Sequence, residues 1–395
     1  IGTINAQDQF SIGPNSNVGG YLFGDQITLN LTNVSTTVNE GFLGAFDGFL
    51  DLNSSGPEFY TIQQQGRGEI WVGNGIVTLD HTSTSCTGSL CDTVAVIGGR
   101  LVAGGGGLIQ SDNTLLLDEV WLEGSGSVSA DKLILAETSG RGTTIRNDSQ
   151  LIGNSVLIGG DSGELLTTLE GNGVLQLNGG TIEAWDAFGA YLLNDTGHTI
   201  SGIGGIAVTS FLTIENRGAI GAVGGFFDIN AFSSTSTTVI NSGTFFGNGG
   251  TSALRLFEGL FDLSAGVMYA AAGGGVDVIQ TASLVGGDTG SPGGTWIAES
   301  GGVIQLRDAP QQWHDLYNNG LLDAAGITLQ GNTSEFLLGQ VGMLSVPLEE
   351  RLEVIGTSGV LRLIDKQFDT TVGGTVAGDL SVQGELELGQ NALLS

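Results

Sequence analysis

Thr238-Val-Ile-Asn-Ser-Gly-Thr-Phe-Phe-Gly247 and Leu169-Glu-Gly-Asn-Gly-Val-Leu-Gln-Leu-Asn-Gly-Gly-Thr-Ile182 decide how this chain folds. In both, apolar residues recur at every second position and the run is then broken by Gly, Asn or Ser. Alternation over four to six residues between turn formers reads as short strands. Glu69-Ile-Trp-Val-Gly-Asn-Gly-Ile-Val-Thr-Leu79 and Gly384-Glu-Leu-Glu-Leu-Gly389 follow the same pattern. Glycine interrupts almost every stretch long enough for three helical turns, so helix is expected below roughly 5%. Val346 to Ile355 and Gln311 to Tyr317 are the two exceptions, and each reads as a single helical turn or a loop.

The phrases also repeat on a longer scale. Asn147, Asn172, Asn194, Asn216 and Asn241 each come shortly after an apolar residue and sit at a Gly or Ser turn. The steps from one to the next are all roughly 22–25 residues, the size of a single structural repeat. The motif returns at Asn318, close to three further periods beyond Asn241. Three short strands and three turns per period make one coil of a β-solenoid, which buries its apolar side chains only by stacking on its neighbours. The expected fold is all-β: a single-stranded parallel β-helix, right-handed, with coils of about 22–25 residues. A chain of 395 residues would then wind about 16 coils spaced 4.8 Å apart, a rod on the order of 75 Å long. The repeated asparagines belong at the corners, where Asn tolerates left-handed backbone and bonds along the stack. Ile214, Val239, Ile240, Leu175 and Leu177 are the predicted core. Residues 1–100 read as β-rich coils with irregular loops, and residues 101–395 as regular repeats.

Composition fits this architecture and excludes others. Glycine supplies 69 residues and proline only 5, in a chain that is 40% apolar. Collagen needs Gly at every third position with abundant proline, and disorder needs low hydrophobicity. With 11 basic against 41 acidic residues, the formal charge is −30; no basic face exists to displace phosphate counterions, so nucleic acid is not an expected partner. No run of 18 uncharged apolar residues is present, so no transmembrane segment is expected. Ile1 is not an initiator Met, so the numbering is expected to start after processing or inside a longer chain. Cys86-Thr-Gly-Ser-Leu-Cys91 reads as a small disulfide-closed loop, which favours an extracellular setting.

These phrases, with Gly378-Asp-Leu-Ser-Val-Gln-Gly-Glu-Leu-Glu-Leu-Gly389, resemble the degenerate repeats of bacterial surface β-helix proteins. Such proteins include autotransporter passenger domains and filamentous-haemagglutinin-like adhesins. The close cysteine pair and the scarcity of lysine are similar to many passengers, and the resemblance runs from about Leu101 onward. It implies a secreted or cell-surface rod but no particular ligand; polysaccharide and a host or cell surface stand as candidate partners.

Parallel β-helices also carry polysaccharide-cleaving enzymes, which paired acids or a cationic base would mark. Asn194-Asp195-Thr-Gly-His198 holds one acid and one His, without an Asp pair or cation at coil spacing, and reads as a corner turn with an exposed His. His81 has no recognisable partner, and Trp313-His314-Asp315 reads as packing. No nucleophile elbow or phosphate loop occurs. No enzyme activity and no organic cofactor are expected. Unpaired carboxylates in register on successive coils would lie close enough to share Ca²⁺. Trp71 and Trp121 lie near two periods apart, but Trp121 to Trp185 does not divide well, so isolated tryptophans are expected rather than a sugar-binding stripe.

The resulting expectation is a structural or adhesive surface solenoid. A polysaccharide-active enzyme and a carbohydrate- or ice-binding module stand as alternatives. Repeat-like ends at Ile1, Ile4, Leu386, Leu388, Leu393 and Leu394 point to head-to-tail self-assembly into a filament.

Overall fold

A computed structural model describes residues 2–7, 10–12, 14–15, 18–19, 21–56, 59–85, 90–137, 141–160, 165–185, 189–207, 212–231, 238–279, 282–284, 293–340, 343–369 and 380–394. Strand makes up 64% and helix 3%, arranged as stacked coils of a parallel β-solenoid with about 13 turns. The chain forms two compact units, Ile1–Thr199 and Ile200–Ser395.

In the first unit a coil is three-sided. One turn runs through the strands Tyr21–Phe23, Gln26–Thr32 and Thr36–Asn39; the next runs through Phe42–Ala45, Phe49–Gly56 and Tyr60–Gln64. From Leu108–Asp118 onward two sides fuse into one eleven-residue strand bent at a bulge, as in Ser127–Glu137, Gln150–Gly160 and Val174–Ala184. Apart from the small antiparallel pair Pro14–Asn15 and Val18–Gly19, the strands of this unit pair in parallel and in register with their counterparts in neighbouring coils. Inward residues therefore stack into columns. Ile27, Leu50, Val77, Ile109, Val128, Leu151 and Leu175 form one column across seven coils. All seven are buried, at 0–9% exposure, and each contributes about 1.5–3 kcal/mol of apolar burial.

The second unit repeats the scheme with larger side chains. Ile220, Phe245, Met268, Trp296, Ile327, Leu361 and Leu386 stack in register. Between the strands Val303–Leu306 and Leu321–Leu322 the chain makes two short helices, Ala309–Gln312 and His314–Asn319, the second ended by Gly320 in the left-handed region. They bury Trp313 edge-to-face against Trp296 and Phe336, each 5.5 Å away. A one-turn 3₁₀ segment, Leu348–Glu350, occupies the other expected exception to the strand pattern.

Two details differ from the repeat arithmetic. Steps between residues paired in parallel run from 18 (Thr114 to Lys132) to 34 (Gly326 to Val360). Corner loops and the helical insertion consume residues without adding a rung, so the chain makes about 13 turns, not 16. Of the predicted core, Ile214, Val239, Leu175 and Leu177 are buried, but Ile240 is only half-buried. Val239 and Asn241 take the inward positions, and alternation turns Ile240 outward between Glu215 and Asp262.

Candidate functional site

Inside the coils, several polar side chains bond to one another. Asn147, Asn194, Asn216 and Asn241 are buried at 0–1% exposure. Asn216 Nδ2 donates to Asn241 Oδ1 at 2.7 Å, one coil on. A further buried asparagine, Asn39, donates to Gln64 Oε1 at 3.2 Å, and nothing in the repeat spacing marks it.

Asn172 does not join this interior set. Ile145 pairs with Leu169 and Leu169 with Asn194, so the residue level with Asn147 is Gly171, and Asn172 falls one place further, exposed in the turn. His198 fills the missing rung. Its Nδ1 lies 2.7 Å from Asn194 Oδ1 and its Nε2 lies 3.1 Å from Asn147 Nδ2, two coils away in sequence. Asn147 Oδ1 already accepts the Ser149 N–H at 3.0 Å, so its amide group must face the ring. His198 is therefore held neutral with its proton on Nδ1; burial depresses its pKa to about 4, with Asp148 opposing weakly. The expectation of an exposed histidine is corrected: His198 is fully buried. His81, expected to lack a partner, lies 2.8 Å from Ser54 Oγ in the interior. Asn318 lies on the second short helix and is exposed, because the helical insertion replaces a strand corner there.

Outside the coils, side chains form rows. One row holds Asn30, Asn53 and Asp80 in direct register, and Asp112, Asp131, Asn154 and Asn178 follow in the next four coils. Asp80 Oδ1 accepts the Asp112 backbone N–H at 3.0 Å, and Asn154 donates to Asp131 Oδ1 at 2.9 Å. Partial burial raises the Asp80 pKa; the backbone bond opposes this, and the Asp112 and Asp51 charges add to it. A shallow groove of about 320 Å³ runs beside Asp112, Asp131 and Asn178. No group of three or more His, Cys, Asp or Glu stands close enough to hold a metal ion among the described residues.

A second row faces out from the adjacent side: Tyr21, Phe42, Glu69, Arg100, Trp121 and Arg146. Beside it stand Phe23, Gly44, Trp71, Val102 and Glu123. Arg100 bridges Glu69 and Glu123 and lies 5.2 Å from the Trp121 ring. Arg146 covers the same ring at 4.2 Å and pairs with Asp148, which also accepts the Trp121 Nε1–H at 3.1 Å. At the other end of the rows the rings of Phe23, Phe46 and Trp71 meet, with centroids 5.1–5.8 Å apart. Gly44 makes the close approach possible: a Cβ there would sit 2.0 Å from the Trp71 carbonyl oxygen. Tyr21 stacks on Phe42 at 5.1 Å. Tyr21 and Phe46 are 58% and 56% exposed. Trp71 and Trp121 thus share one outer side after all, whereas Trp296 and Trp313 are core residues.

Cys91 is disulfide-bonded, and Asp92 Oδ1 ties the base of its loop by accepting the Ser83 N–H at 2.6 Å. Cys86 lies outside the described residues, as does Ile1. Ile4 is 37% exposed, Leu388 53% and Leu393 55%, while Leu386 and Leu394 are half-buried. No helix among the described residues is long and apolar enough to cross a membrane.

Comparison with known proteins gives no relative: no family model matches the chain, and no curated protein or solved structure matches it.

Proposed function

We propose that this protein is a secreted or cell-surface structural solenoid that attaches through the aromatic side of its first unit. The observation that carries the reading is the Tyr21, Phe23, Phe42, Phe46 and Trp71 cluster, presented on rigid parallel coils and partly exposed. Packing alone does not require exposed rings, and a contiguous exposed apolar cluster favours a contact surface. The disulfide at Cys91 supports an oxidising, extracellular setting. The −30 charge supports solubility at high local concentration. Ca²⁺ enters this reading only as a counter-ion for the outward row at Asp80, Asp112 and Asp131.

Beads coated with the protein would be washed under flow over immobilised matrix protein, polysaccharide and bare polymer. Retention on at least one coated surface, reduced severalfold by Trp71→Ala, is the expected result. Equal washout from all three surfaces would sink the reading.

A further inference from the structure

Two other aromatic groups on the outer rows of these coils come with an arginine and a carboxylate. Trp121 has Arg100 and Arg146, which are paired with Glu69, Glu123 and Asp148. Phe226 and Phe257 have Arg255 at 4.1 and 5.3 Å, and Arg255 is clamped by both oxygens of Asp228 at 2.6 Å. In each case the guanidinium lies over a ring face and a carboxylate holds it there.

The Phe23, Phe46 and Trp71 cluster has only two of the three parts. Rings are present, and so are carboxylates: Asp47 directly follows Phe46, and Asp25 lies just beyond Phe23, both exposed. Asn74 Nδ2 engages only one Asp47 oxygen, at 3.0 Å. Among the described residues no guanidinium or ammonium lies over these three rings. Exposed carboxylates one or two residues from these rings in sequence, neither of them in an ion pair among the described residues, on a chain of net charge −30, complement a cation on an apolar stem.

We propose that this corner is a docking site for a polypeptide segment bearing arginine or lysine, whose side chains take the place that Arg100, Arg146 and Arg255 fill elsewhere. The inference deepens the attachment reading by naming the partner's chemistry. A neutral glycan would stack on the rings and donate its hydroxyls to the carboxylates without needing their charge, so Asp25→Asn with Asp47→Asn would largely spare it, and an acidic polymer would be repelled.

The test is binding of a fluorescein-labelled hexa-arginine peptide, followed by anisotropy at about 150 mM salt, where distant surface charges are largely screened. Phe46→Ala and Trp71→Ala should each weaken binding about fivefold, the size of a partly desolvated cation–π contact. Asp25→Asn with Asp47→Asn should weaken it similarly while keeping the rings, which guards against a packing defect in the ring variants. Leu166→Ala, at an exposed leucine elsewhere in the first unit, should bind as the parent does. Equal binding by parent and ring variants would overturn the proposal, because attraction would then be a property of the whole acidic surface. Ring-dependent binding of cellohexaose without ring-dependent binding of the peptide would overturn it in favour of a glycan. The bead assay run on the same variants separates the two readings. Attachment that persists while peptide binding ignores the rings removes only the cationic partner; ring-dependent peptide binding without attachment removes only the surface role.

Discussion

At the scale of single residues, His198 is where the interior is most sensitive to conditions. Its ring accepts from Asn147 Nδ2 and donates to Asn194 Oδ1, so a second proton would set two donors against each other in a buried site. The folded pKa of about 4 lies below the ordinary value of 6.5. The unfolded chain therefore binds the proton first, and stability falls as pH drops. The contribution is complete above about pH 6.5 and is lost progressively down to about pH 4, amounting to about 3 kcal/mol. His198→Gln should remove this segment of the pH profile. Denaturant midpoints at pH 7 and 4.5 would show the parent losing more stability than the variant; parallel losses would mean the imidazole is not the titrating group. The sequence displayed this histidine plainly, within Asn194-Asp-Thr-Gly-His198, but not its role. Its partner Asn147 is 51 residues away, and only the register that expels Asn172 brings the two together.

At the scale of elements, alternation made strands and inward columns readable, because a period of two puts every second apolar residue on one side. Leu175, Leu177, Ile214 and Val239 obey it. Ile240 breaks it only because two apolar neighbours in sequence compete for one inward place. The outer rows were readable only in part. The two-period spacing of Trp71 and Trp121 puts them on one side, but a long step from Glu69 to Arg100 and a short one from Arg100 to Trp121 set Trp121 level with Glu69, and no fixed period reveals that register. Irregular elements require their own fastenings. Val346–Pro347 doubles back antiparallel on Glu335–Leu338, and the 3₁₀ turn after it is tied down by Lys366. Lys366 Nζ pairs with Glu349 at 3.2 Å and donates to the Ser334 carbonyl at 2.7 Å, with the residue only 5% exposed. Lys366→Met should cost about 1–3 kcal/mol, since it strands a half-buried carboxylate and a carbonyl. Adding Glu349→Gln should recover part of that loss in chemical denaturation, whereas an additive double variant would show that the pair does not interact.

At the scale of the whole molecule, stability is a sum of coils and the contacts between neighbours. A defect should therefore stay local. Leu177→Asp places an unpaired charge at a site only 1% exposed and should open the coils around Leu151 and Leu175. Amide exchange should accelerate there while Thr295–Ala298 in the second unit keeps its protection. Uniform acceleration along the chain would show one cooperative block instead. The same coil-to-coil bonding has a mechanical side. Within each unit the hydrogen bonds joining neighbouring coils run along the stack, as where Gly2 pairs with Ile27 in the first and Val360 with Glu385 in the second. A pull in that direction loads one rung at a time, as in unzipping. Each coil of about 25 residues that peels away lengthens the chain by roughly 80 Å in place of the ~4.8 Å it had occupied. Under tension such a protein behaves as a reel, giving length and dissipating work coil by coil while the coils still wound keep their grip.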